Sequence, residues 1–156
     1  MKKIDLGQTI SILANFGVFV GVLLLVYELA QNRQMMRSQI RNDLNAGLMS
    51  YQLISSDEQI SEIMERAQND GGLQNLSDVE RRRFGVVRGM QARYFENVHY
   101  QYRNGLFDDE EFVAQREFWR RIYSQKTNID YWCTVRDTYS PEFKAEIDGL
   151  LAEACE

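Results

Sequence analysis

The chain has 156 residues, 44% of them hydrophobic, with 23 acidic against 18 basic side chains and a net charge of −5. That balance argues against a nucleic-acid binder, which needs a basic face. The single proline, and the lack of alternating β-branched runs, argue against a sheet and predict an all-α fold.

The first predicted element is LGQTISILANFGVFVGVLLLVY, Leu6 to Tyr27, 22 residues without a charge between Asp5 and Glu28. A bilayer core of ~30 Å needs about 20 mostly apolar residues in helical form, and a lone segment there satisfies its backbone only as a helix. This reads as a transmembrane helix. A cleaved signal also starts basic, as Lys2 and Lys3 would provide, but its apolar core is shorter and a small-x-small site follows; here Tyr27-Glu28-Leu29-Ala30-Gln31 follows. Gly17 and Gly21 form a GxxxG, with Ala14 one turn earlier, a smooth face suited to close helix association.

Charge around the span nearly ties: Lys2, Lys3 and the amino group on one side, Arg33, Arg37 and Arg41 on the other. Positive charge marks the cytoplasmic side, and the three arginines lie four apart, on a helical line that could meet anionic headgroups. A tail of five residues passes outward easily, so the expectation is a cytoplasmic C-terminal domain. Setting aside Lys2, Lys3 and Asp5 leaves 16 basic and 22 acidic residues after the span. Cys133 and Cys155, 22 apart, form no zinc pattern. The expectation is two free thiols in a reducing cytoplasm, since a disulfide requires the domain to face outward.

A single helix is expected from about Ile4, through the membrane, to about Leu53, with Met36, Ile40, Leu44, Leu48 and Tyr51 on one face. That stripe must pack on its own domain or on other copies. The organisation is therefore an anchor at 1–30, a juxtamembrane continuation at 31–54, and a bundle of five to six helices at 55–156. Ser55 with Glu58 reads as a capping box for a short second helix with Ile60, Ile63, Met64 and Ala67 inward. Asn69-Asp70-Gly71-Gly72 ends it. Ser77 with Glu80 is another box, opening a long helix from Asp78 to Arg103 that closes on Asn104-Gly105. Its buried stripe runs through Phe84, Val87, Met90 or Gln91, Tyr94 or Phe95, Val98 and Tyr102, with Arg81, Arg82 and Arg83 solvated. Asp108 with Glu111 caps a fourth helix carrying Phe112, Phe118 and Trp119. A fifth element holds Ile129, Tyr131 and Trp132, and Ser140-Pro141-Glu142 starts the last, with Phe143, Ile147, Leu150, Leu151 and Ala154 inward.

Chemistry is sparse. Along 94–103, aromatic and hydrogen-bonding residues alternate around one helix, so some polar groups must find partners inside the bundle. Glu96, Asn97, His99, Tyr100 and Gln101 are either a structural network or the wall of a small-ligand pocket. Glu96-x-x-His99 is the half-site of a di-iron carboxylate bundle, but with one histidine only a two-fold dimer could build that centre. His99 reads instead as a packed, hydrogen-bonded side chain. No phosphate loop, GxSxG or GxGxxG occurs, so no catalytic residue, metal ligand or cofactor is assigned.

YELAQNRQ at 27–34, FENVHYQYRNGLFDDE at 95–110 and YSPEF at 139–143 resemble segments of an uncharacterised group of bacterial, single-pass, membrane-anchored helical proteins. The resemblance covers most of the chain and implies a bacterial inner membrane, with no assigned activity. The expected function is non-enzymatic: a membrane-anchored module that self-associates or binds a membrane-protein partner, with no nucleic acid. A small-ligand sensor is the alternative, and a metal-dependent enzyme formed across a dimer the third reading.

Overall fold

The computed structural model describes residues 6–69, 72–152 and 155, and these form an all-α protein of six helices. They are α1 (Leu6–Ser55), α2 (Glu58–Gln68), α3 (Asp78–Arg103), α4 (Asp109–Ile122), α5 (Lys126–Val135) and α6 (Pro141–Asp148). Short 3-10 turns at Gly72–Asn75 and Arg136–Thr138 lead into α3 and α6. The chain divides into two compact units, Met1–Gln39 and Ile40–Glu156.

Within the first unit the described residues belong to α1 alone. It is the one helix among the described residues long and apolar enough to cross a membrane, reaching a mean hydropathy of 2.4 with none of that stretch buried. Ile4, the expected start of the helix, lies outside the described residues.

The second unit begins inside α1. Leu44 is buried, and Ile40, Leu48 and Tyr51 are half-buried, so from Ile40 onward the apolar stripe packs against the chain's own domain. The compact domain thus takes in the helical stretch that follows Gln39. Gly47 faces α3, where a Cβ would stand 3.8 Å from the Tyr94 ring.

Helix ends follow local chemistry, with two corrections. Ser77 and Glu80 form the full capping box: the Ser77 Oγ accepts from the Glu80 N–H, and Glu80 accepts from the Ser77 N–H. Gly105 takes the left-handed conformation, φ 67°, that closes α3. Ser55, by contrast, is not a cap. It remains inside α1, its hydroxyl donating to the Gln52 carbonyl, and Asp57 caps α2 by accepting from the Ile60 N–H. Asp108 is the N-cap residue of α4, without a side-chain capping bond, and its expected partner Glu111 pairs with Arg41.

The core is aromatic. Trp119, Trp132, Phe95 and Phe143 are almost fully buried. Phe95 stacks on Trp119 at 5.2 Å, and Phe143 meets Trp119 and Trp132 edge-on. Such pairs add about 0.5–1.5 kcal/mol each beyond the area they bury. A smaller cluster of Ile63, Ala67, Leu76 and Phe84 holds α2 to the start of α3. Tyr131 of α5 lies along Gly85 and Gly89 of α3; its hydroxyl donates to the Gly85 carbonyl at 2.8 Å, and a Cβ on Gly89 would come within 3.2 Å of that oxygen.

One expectation fails outright. Cys133 and Cys155 are joined in a disulfide that ties the chain's tail to α5, and there is no free thiol. A spacing of 22 carries no geometry of its own; the fold of α5 and α6 brings the two sulfurs together.

Candidate functional site

Along a helix residues i, i+3 and i+4 share a face, so Glu96, His99 and Tyr100 lie on one side of α3 and Asn97 with Gln101 on another. Glu96 faces the start of α6. One carboxylate oxygen accepts from the Ser140 N–H at 2.8 Å, and the other pairs with Arg93 at 2.6 Å. Burial opposes its charge, but the Ser140 N–H and Arg93 outweigh that and hold the carboxyl below its usual range. Arg93 continues the chain of contacts, donating to the Thr138 carbonyl and lying 4.1 Å over the Tyr139 ring. Glu96 therefore acts on α6 as a cap supplied from another helix.

Asn97 accepts from the Gln101 side chain at 3.2 Å on the solvent side, and Tyr100 is exposed. His99 points inward between Phe112 and Phe143, at 6.1 and 5.8 Å. It is packed as expected but has no hydrogen-bond partner among the described residues, which corrects half of that expectation. Burial holds its imidazole below the usual value, against the pull of Glu146, Glu142 and Glu96 and with the charge of Arg103 adding to the effect.

The other predicted residues are divided between the two units. Ala14, Gly17 and Gly21 lie along α1 in the first unit, and no atom would come within 4 Å of a Cβ on either glycine. Arg33 and Arg37 belong to that unit too. Arg41 belongs to the domain, where its guanidinium is engaged by Glu111 of α4, so a headgroup would have to compete with a carboxylate for it.

Two features escaped the sequence reading. A groove of about 280 Å3 runs between α1, α3 and α4, with Asn45, Tyr94 and Gln115 on its walls and the Arg41–Glu111 pair among its lining residues. Arg88 is buried, 8% exposed, with no carboxylate partner among the described residues. One of its terminal nitrogens donates to Gln91 at 2.8 Å, its guanidinium lies 5.4 Å over the Phe84 ring, and its Nε has no acceptor. Desolvation lowers its affinity for its proton, and the phenols of Tyr51 and Tyr123 work against that. The signal was present in the spacing: 84, 88, 91 and 95 step by four, three and four along one helix face.

Among the described residues no group of three or more His, Cys, Asp or Glu is placed to hold a metal ion. What the geometry provides is a set of helix-to-helix ties: Glu96 to α6, Tyr131 to α3, Thr127 to the Ala67 carbonyl, and Trp132 with Arg136 to Asp148. No protein-family model, no curated protein and no solved structure matches this chain.

Proposed function

We propose that the protein is a membrane-anchored, non-enzymatic helical module that works by associating with itself or with a membrane-protein partner. The observation that carries this reading is the unburied apolar span of α1, with the small residues Gly17 and Gly21 four apart on one side of it. In lipid there is little hydrophobic drive between helices, so close backbone approach at small residues supplies much of the association. The setting is a bacterial inner membrane, supported by the apolar span and by the resemblance of segments 27–34, 95–110 and 139–143. The reading holds with the domain on either face.

A small-ligand domain centred on Glu96 and His99 draws less support, because Glu96 spends both oxygens on protein donors and Asn97 is engaged by Gln101. Native mass spectrometry of the full-length chain in mild detergent tests association directly. A discrete oligomer is expected, shifting to monomer in Gly17→Leu/Gly21→Leu. An oligomer unchanged by both substitutions would remove the glycine face from the reading, and a monomeric parent chain would remove self-association.

A further inference from the structure

Both cysteines of the chain lie in the helical domain, and both are consumed in one disulfide, Cys133–Cys155. Cytosolic thiols are kept reduced by glutathione and thioredoxin, whereas disulfides form and persist outside the cytoplasm. For a chain that reads as a single span, this bears on which way the span runs. We propose that the helical domain lies on the oxidising, non-cytoplasmic side of the membrane, with Lys2 and Lys3 on the cytoplasmic side. This reverses the orientation expected from the arginines after the span, and it rests on the membrane-anchored reading.

The flanking charges do not oppose it. The orienting bias is counted within about 15–20 residues of each end of a span. Lys2 and Lys3 adjoin one end, Arg33, Arg37 and Arg41 are spread along the other, and neither side dominates. Once folded, Arg41 is engaged by Glu111, which lessens its hold on anionic lipid of the cytoplasmic leaflet. With charge so nearly balanced, the compartment required by the sulfur chemistry decides.

The closing step balances through thiol–disulfide exchange. One domain thiolate attacks the disulfide of an external dithiol oxidant, giving a mixed disulfide; the second domain thiolate then displaces the oxidant's remaining sulfur. Cys133 and Cys155 lose two electrons and two protons in all, and the oxidant leaves as its dithiol. The implied encounter partner is thus a thiol oxidase acting on the outer side.

The test uses the full-length chain produced in bacterial cells. Membranes are first washed at alkaline pH. Spheroplasts of the same cells are treated with protease, and thiols are trapped at lysis with a maleimide carrying polyethylene glycol. The expected result is a chain that stays with the membrane, a domain digested in intact spheroplasts, and no polymer added until reductant is supplied, after which two chains add. A domain protected until the membrane is broken overturns the proposal while leaving the anchor intact. Two polymers added without reductant overturn it through the thiols. A chain released by the alkaline wash overturns the anchored reading itself.

Discussion

His99 shows how a single residue sets a response of the whole domain. Its ring sits between Phe112 and Phe143 without a hydrogen bond among the described residues, and burial makes protonation harder than in the unfolded chain, where the value is about 6.5. The unfolded chain therefore binds the proton first as pH falls. Stability is complete above that unfolded value and declines as pH drops through it, until the folded imidazole is protonated as well. The urea midpoint is expected to fall between pH 7.5 and pH 5.5, and to fall less in His99→Phe. Equal falls in the two proteins would place the effect elsewhere. Carboxylates such as Glu96 lose their contribution only at lower pH, because their folded values lie below the ordinary carboxylate range. Gly47 makes a second case. It sits mid-helix with 3.8 Å of clearance to Tyr94, so Gly47→Ala fits without displacement and is expected to stabilise by about 0.5–1 kcal/mol. A raised urea midpoint would show it.

At the scale of elements, the domain is joined by polar ties that cross between helices. Glu96 of α3 holds the backbone N–H of Ser140, the residue that opens α6, and, through Arg93, the carbonyl of Thr138 just before it. Glu96→Ala removes an acceptor from a helix start and leaves that N–H to water. The expected cost is about 1–2 kcal/mol, read from the thermal or urea midpoint. Asn97→Ala, on the solvent side, is expected to change it by less than about 0.5 kcal/mol. Equal losses at the two positions would deny Glu96 its capping role. Gly85 and Gly89 work the same way from the opposite direction: having no side chains, they let Tyr131 reach a helix carbonyl that would otherwise be covered.

For the whole molecule, the Cys133–Cys155 bond closes a loop of 22 residues that includes α6. Loops of that length remove on the order of 3 kcal/mol of chain entropy from the unfolded state. Cys133→Ser/Cys155→Ser is expected to lower stability by about that amount, measured against the parent chain with and without reductant. Reductant should leave the double variant unmoved and bring the parent down to it.

Much of this protein follows from its sequence because the signals are local. An uncharged run of 22 residues between Asp5 and Glu28 specifies a span-length helix. The Ser77–Glu80 box and Asn104-Gly105 mark helix ends through bonds within a few residues, Pro141 suits a first turn through its own ring, and the 3.6-residue period finds Phe84, Val98, Phe143 and Ile147 as core while leaving Tyr94 and Phe95 as alternatives. Ser55 misled because its hydroxyl can bond its own helix as readily as cap the next. Other features depend on groups far apart in the chain: the disulfide across 22 residues, Arg88 buried over Phe84, Glu96 turned to α6, and Arg41 drawn to Glu111. Composition and periodicity state which face of a helix is apolar. Only the packing of one helix on another decides which polar group on that face meets a partner, and which two sulfurs come within bonding distance.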